Sequence, residues 1–437
     1  MRTLGVSLFS VVGVGLAMGA VGCGSDGLGT STDGGATDSG ADTATADGGS
    51  GADAAPPVDA GPDAVVIVDS GIVDLKTGPV HQLVLKTDGT VWAHGSDNYG
   101  QLGQGVTHAQ PVPALTKVPG LPAAGAIAVA NATSFAMDPS GAVWAWGNNS
   151  VYTDANASVF GDGANVAKSS AKATGFTNCV ELANGDSFSV AVKKDGTVWT
   201  WGYDFAGRLG PGASGSRLSP GQVTGLSGVT HVATGADFAF AIQADKTIFA
   251  WGRNNQGQLG TGDRSQGYLP GVPGPVSGIN DAIAVVASSS GGDLSASGAH
   301  AFALRSDGSV WAWGDAVALG VDVSPATYTA TPKKIPGLSN VTALAAGDLH
   351  VLALTSDGSV WAWGSNVSGE IGDGTTNDAL VPKKVPGLSG VVRIFAGMRT
   401  SFAIKADGTI WGWGDNLYGQ LGLAPGGTRS NPTQGTF

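Results

Sequence analysis

An Asp-Gly turn followed by an unbroken apolar run recurs along this chain. In Ser356 to Gly364, SDGSVWAWG, polar residues surround the turn, and Val360, Trp361, Ala362 and Trp363 follow it. Glycine accepts the positive φ a tight hairpin needs, and a β-branched and aromatic run suits a pleated strand. Val360 and Ala362 then point to one face and the two tryptophans to the other. Both faces are apolar, so the strand is expected to be covered on both sides. The pattern repeats from Thr87, Pro139, Lys194, Ala244, Ser306 and Ala406, making seven copies. Their final glycines lie 52, 55, 50, 62, 50 and 50 residues apart. Self-similarity at such a period marks a repeat architecture.

Residues 341–388 show a whole unit. An apolar strand (Val341 to Ala346) leads to a turn at Gly347 to His350, and a second strand (Val351 to Leu354) precedes the Asp-Gly turn. The Trp strand comes next, then Asn366 to Gly372, then a strand from Pro382 to Val385. Four strands per unit, seven times over, predict an all-β chain: a seven-bladed β-propeller of four-stranded blades over residues 65–437. Two segments compete for the slot that completes the ring. Pro432 to Gln434 shares the register of Pro382 to Lys384, and Val65 to Val68 precedes Ile72 where Lys384 to Gly387 precedes Val391. The β-branched Val65 to Val68 is favoured as the closing strand.

The motif set resembles that of the regulator-of-chromosome-condensation repeat proteins. The features that carry the likeness are Gly-x-x-His before a short strand, Asp-Gly-x-Val-Trp-x-Trp-Gly, and Gly-Gln-Leu-Gly loops such as Asn98 to Gly103, Asn255 to Gly260 and Leu417 to Gly422. They span residues 72–437. Kelch repeats lean on a Gly-Gly pair, and the sialidase Asp-box places a residue between Asp and Gly, so both fit less well.

Residues 1–22 read as a lipoprotein-type signal peptide: Arg2 at the start, then a mostly apolar run. Ala20-Val21-Gly22-Cys23 resembles the bacterial lipoprotein box, which implies lipidation at Cys23 and an exported outer-membrane or cell-surface protein. A periplasmic or secreted protein is the alternative. Residues 23–64 carry eight Asp with no Lys or Arg, among Gly, Ala, Ser and Thr, and read as a disordered tether. The whole chain has net charge −12, which argues against nucleic acid as a partner. Glycine is abundant (72 residues) and there are only two Glu, consistent with strands and turns rather than helices.

Twelve tryptophans invite a functional story, but all occupy the two Trp positions of the repeated strand, and packing between blades is the expected role. The light-sensing Gly-Trp-Arg-His-Thr motif of a plant photoreceptor with this fold is absent. His81, His300 and His350 fall at one repeated position, where hydrogen bonding within the turn is expected rather than metal binding. Cys179 lies in an apolar strand and reads as a small buried hydrophobe. The sequence carries no nucleophile elbow, phosphate loop or metal-ligand cluster. No catalytic residue, cofactor or metal is therefore expected.

What remains is a non-catalytic propeller, a monomer, that binds a protein or other ligand at the bacterial envelope and touches the membrane only through its lipid. The resemblance implies two alternatives: a secreted inhibitor of a β-lactamase-type enzyme, and guanine-nucleotide exchange as in the family's namesake. Framework positions repeat, so specificity must lie in the connections. Tyr99, Tyr203, Arg253 and Tyr418 follow the Trp strands and are the candidate binding residues, since Tyr and Arg dominate interface energies. Residues 286–298 form the largest insertion within a repeat.

Overall fold

The computed structural model describes residues 71–150, 154–264, 271–288, 298–316, 318–322 and 327–435. The signal peptide, Cys23, the tether and Val65 to Val68 lie outside them, as do residues 289–297 of the insertion. Among the described residues there are 28 strands and no helix. They form seven four-stranded antiparallel sheets, each built from four consecutive strands. The blades span residues 72–117, 126–173, 179–222, 229–275, 282–334, 341–384 and 391–434.

In blade 6 the strands are Val341–Ala346, His350–Thr355, Val360–Gly364 and Ala379–Lys384. The last begins earlier than its Pro-Lys-Lys signature suggests. The Asp-Gly hairpin is closed by Thr355 N–H donating to Ser359 O (3.0 Å), and Gly358 takes φ +74°. Asp357 Oδ1 accepts from Ser359 N–H (3.0 Å), so the aspartate braces the turn while glycine supplies its left-handed residue. The glycine ending each Trp strand has a different cause. A Cβ on Gly364 would lie 2.3 Å from Leu349 O, because the neighbouring turn crosses directly over it.

The first strand of every blade touches the first strand of the next, including blade 7 to blade 1. The first strands therefore form the inner ring and the fourth strands, such as Ala379–Lys384, the largely exposed outside. The core lies between blades. At the closing seam Ile72, Leu75 and Val84 of blade 1 pack with Phe395, Phe402 and Ile404 of blade 7. Thr77 Oγ1 and Thr400 Oγ1 share a hydrogen bond (3.3 Å), and Arg393 Nη1 donates to Ile72 O (3.5 Å) and Val73 O across the same seam.

The closing strand is not the one favoured from β-propensity. Thr428–Gln434 pairs with Ile410–Asp415, with Trp411 opposite Gln434 and Gly412 opposite Thr433, and it fills the slot. The C-terminal strand returns over a connection of a dozen residues within its own blade. Val65 to Val68 would have to reach blade 7 from the far end of the chain, and closing the longer loop costs more entropy.

The two tryptophan positions also differ. The second of each pair, Trp146, Trp201, Trp251, Trp313, Trp363 and Trp413, is fully buried between blades. The first is only half-buried, with a cation over several rings: Lys86 over Trp92 at 4.4 Å, Lys193 over Trp199 at 4.2 Å, Lys405 over Trp411 at 4.1 Å. Both sets thus pack on the clusters between blades, the second inside them and the first at their edge.

The propeller has two unlike faces. One carries the Asp-Gly turns, the blade-to-blade connections and Gly71, whose carbonyl accepts from Thr87 N–H (2.9 Å). The first strands run away from it, so the turns between first and second strands lie on the opposite face, with the long loops that follow the third strands. We refer to that side as the loop face.

Candidate functional site

Outside blade 5, one side chain ties down each long loop. Asn366 Oδ1 accepts from Ile371 N–H (2.9 Å) while its Nδ2 donates to Asn377 O (2.9 Å). Asn254, Asn416 and Asp97 hold Leu259, Leu421 and Leu102 in the same way. The glutamine before each leucine closes the loop from inside: Gln101 Oε1 accepts from Tyr99 N–H and Gln420 Oε1 from Tyr418 N–H, both at 2.9 Å. These anchors fix where the candidate side chains stand. Tyr99 and Tyr418 occupy the same loop position in blades 1 and 7, and both rings are exposed (41% and 52%).

Tyr203 and Arg253 share a different position, directly after the Trp-Gly strand end, and it is more enclosed. Tyr203 is partly buried and stacks on Phe205 (6.5 Å between centroids), with Arg208 against both rings. Arg253 is buried, 7% exposed, and its Nη1 pairs with Asp237 Oδ2 at 3.3 Å. Arg253, a candidate binding residue, is therefore turned inward. Arg208, buried as well, pairs with Asp237 Oδ1 at 2.6 Å and donates to the carbonyls of Tyr203 and Asp186. Arg208 stands where other blades place glutamine, and the buried carboxylate of Asp237 draws both guanidinium groups inward.

The two exposed tyrosines stand beside adjoining hollows. Tyr99 lines one of about 350 Å³, together with Pro79, Val80, Asn131, Ala132 and Met398. Tyr418 lines a smaller one of about 40 Å³ between blades 7 and 1. Pro79, Val80 and Met398 border both. The turns of blades 1, 2, 3 and 7 therefore meet at one apolar centre on the loop face, with Tyr99 and Tyr418 at its edge. Asn131, Val80 and Met398 were not singled out from sequence. Their signal lay in the Gly-x-x-His turns, where Val80 and Met398 stand at positions held by Asp237 and by Asp186 or Asp348 in other blades, and Asn131 is uncharged.

Of the repeated histidines, His300 bonds the backbone of Gly298 in its own turn, while His81 and His350 reach the next blade. His81 Nε2 shares a hydrogen bond with Ser134 Oγ of the next blade (2.8 Å), and His350 Nε2 with Ser401 Oγ (2.9 Å). Each serine donates to a loop carbonyl, Gln101 O or Glu370 O (2.8 Å each). The same carbonyls accept Trp146 Nε1 (2.9 Å) and Trp413 Nε1 (2.7 Å). One carbonyl per interface thus locks loop, serine and tryptophan together. Burial pushes His81 and His300 down to about 3 and His350 to about 4, so all three stay neutral near pH 7. Among the described residues no group of three His, Cys, Asp or Glu is placed to hold a metal ion. Cys179 is buried and its Sγ contacts Glu181 O at 3.2 Å; burial pushes the thiol up to about 12.

Two carboxylates on the loop face of blade 6 are perturbed the other way. Burial raises Asp348 to about 7, with the Arg399 charge opposing and Glu370 adding to the rise. Burial likewise lifts Glu370 to about 7. Glu370 stands in the glutamine position, and its Oε2 accepts from Ser368 N–H (2.7 Å) as the glutamines do elsewhere.

Comparison with known proteins agrees with this architecture. Models of the regulator of chromosome condensation (RCC1) repeat match residues 88–137, 195–242, 245–297, 307–354 and 357–404, and a second model of the repeat matches 229–258, 293–316, 341–370 and 391–420. Four of the five longer matches run from an Asp-Gly turn into the second strand of the next blade, so the sequence repeat straddles two blades. Among curated proteins, human E3 ubiquitin-protein ligase HERC2 is 30% identical over 153 residues, which is 34% of this chain and 3% of HERC2. Human probable E3 ubiquitin-protein ligase HERC6 is 30% identical over 160 residues, 35% of this chain and 15% of that protein. The chain thus spans only a small part of these relatives. Among solved structures, yeast RCC1 (Prp20) bound to Kap60 superposes with a TM-score of 0.67 at 22% identity, covering 88% of this chain and 90% of that one. Human WBSCR16 gives 0.62 at 23%, covering 75% and 84%. The shared fold and the matches over more than half of its length establish that the chain belongs to the RCC1 repeat family.

Proposed function

We propose that this propeller is a non-catalytic binding platform for a protein partner and that the loop face is its working surface. The observation that carries the reading is the convergence of Tyr99 and Tyr418, both exposed, on an apolar centre formed by Pro79, Val80 and Met398. Aromatic side chains beside a concave apolar patch are what interface hot spots are made of. Yeast Prp20, of the same fold, is described as binding Kap60, Gsp1p and histones, which supports protein recognition as a use of such propellers. Display at a bacterial envelope through lipidated Cys23 belongs to the same proposal. Gly71, the first described residue, lies on the Asp-Gly face, opposite the loop face.

The test is capture from native envelope extracts by the full chain, compared with Tyr99→Ala and Tyr418→Ala. Each substitution is expected to weaken binding of a captured protein by about 1–2 kcal/mol. Capture unchanged in the double variant overturns the assignment of the face. Cys23→Ser is expected to abolish fatty-acid labelling and release the protein from the membrane fraction; retained label overturns the anchor. Inhibition of a β-lactamase by the purified chain would favour the inhibitor function instead, and stimulated nucleotide release from a small GTPase would favour exchange.

A further inference from the structure

The loop-face turn of blade 2 is built from small residues. Its first two strands, Ala126–Ala130 and Thr133–Met137, are joined by Asn131 and Ala132. Other blades have a two-residue turn of the same length, closed in blades 1 and 6 by Gly78 N–H donating to His81 O and Gly347 N–H to His350 O (2.8 Å each). Where those turns carry Val80, Asp237, Leu349 or Arg399, blade 2 carries Ala132, which lines a hollow of about 350 Å³, the notch. Ala130, Ala132 and Val159 contribute its aliphatic part, with Pro79, Val80 and Met398 from the turns of blades 1 and 7.

The notch is also neutral. The corresponding turns carry Asp186 in blade 3, Asp237 in blade 4, Asp348 in blade 6 and Arg399 in blade 7, but blades 1 and 2 carry no charge there. Among the described residues no Asp, Glu, Lys, Arg or His lines the hollow. One polar atom in it is unmatched. Asn131 Nδ2 donates to Asp186 Oδ1 (2.8 Å), which orients the amide and leaves Asn131 Oδ1 buried without a donor.

We propose that this notch is a socket for an uncharged peptide loop of the partner protein, seating one aliphatic or aromatic side chain and donating a main-chain N–H to Asn131 Oδ1. The proposal rests on the platform reading above and names the chemistry of its partner. A charged side chain would be buried there unpaired, which is costly, and a phosphate would meet no cation. A saccharide fits less well. Its hydroxyls need several free polar groups, yet Gln101 Oε1 is occupied by Tyr99 N–H, Asn148 Oδ1 by Ser150 N–H, and Thr133 Oγ1 donates to Asn148 O. Sugar rings also stack on aromatic faces, and among the described residues Tyr99 is the sole aromatic one in the lining.

Capped amino-acid amides serve as probes. Saturation-transfer NMR on the full chain is expected to show N-acetyl-leucinamide and N-acetyl-tyrosinamide binding, with N-acetyl-lysinamide and N-acetyl-aspartamide silent. Ala132→Trp fills the notch and Val80→Lys places a charge on its exposed wall; each is expected to weaken the neutral amides at least about tenfold, as a buried unpaired charge or lost pocket does. Val80→Lys lies outside the core and keeps the test valid where Ala132→Trp fails to fold. Equal signals from charged and neutral amides, binding unchanged in Val80→Lys, or signals from maltose in place of the amides each overturn the socket. Partner capture that is lost in Tyr418→Ala but survives Val80→Lys also overturns the socket and leaves the platform standing.

Discussion

The paired tryptophans look alike in sequence and have different tasks. Trp413 is fully buried with its indole N–H on Glu370 O, whereas Trp411 is half-buried, capped by Lys405 and bonded to Thr409 Oγ1. Trp413→Ala is therefore expected to destabilise the fold by about 3–5 kcal/mol, as large aromatic truncations in cores do. Trp411→Ala should cost no more than about 2 kcal/mol, since less area leaves water. Paired denaturation curves check this, and equal losses would refute the division. Glu370 gives a pH-dependent case. Its pKa is raised in the folded state from the ordinary 4.5 to about 7, so between these values the folded chain holds the proton more tightly than the unfolded one. Its presence thus weakens the fold as pH rises from about 4.5 to 7. Glu370→Gln, which matches the residue at Gln101, Gln258 and Gln420, is expected to raise the melting temperature at pH 8 and to lose that gain by pH 4.5. A gain independent of pH would show that ionisation is not the cause.

At the scale of the elements, the turns show how one position constrains residue choice. Six of the seven hairpins place glycine in the left-handed position, but blade 4 has Lys246 there at φ +69°. An L-residue in that conformation costs roughly 1–2 kcal/mol, partly offset because glycine loses more entropy on folding. Lys246→Gly should therefore stabilise by about 0.5–1 kcal/mol in a thermal melt, and destabilisation would mean that the lysine side chain compensates. The closing strand offers a harsher test. Removing residues 428–437 strips the partner from Ile410–Asp415 and opens a strand edge beneath Trp411. We expect a loss of several kcal/mol and concentration-dependent aggregation by light scattering. Unchanged stability would mean that another segment can fill the slot.

For the whole molecule, seven blades with consecutive strands leave one seam, between blades 7 and 1, that no covalent connection crosses. It is held by the Ile72, Leu75 and Phe395 cluster, the Thr77–Thr400 bond and Arg393 on the carbonyls of Ile72 and Val73. Nothing among these contacts draws on residues 24–64. A chain lacking that stretch is expected to melt within a few degrees of one that retains it, by scanning calorimetry. A large drop would place the tether among the groups that hold the seam.

Periodicity alone determined the number of blades, the four strands in each, and the Asp-Gly turns, because every unit must satisfy the same backbone geometry and bury the same two faces. It could not rank Val65 to Val68 against Thr428–Gln434, since propensity is local and loop closure depends on the whole chain. Nor could it separate Trp411 from Trp413, whose neighbours along the chain are the same and whose neighbours in space are not. The site was partly legible. Tyr99 and Tyr418 are exposed in the loops, as their place after the Trp strands suggested, while Arg253 turned inward because Asp237 of the same blade lies within 3.3 Å. In the sequence the notch is one small residue, Ala132, at a turn position that elsewhere carries Val80, Asp237 or Arg399. Only the turns around it, drawn from three other blades, make a cavity of it.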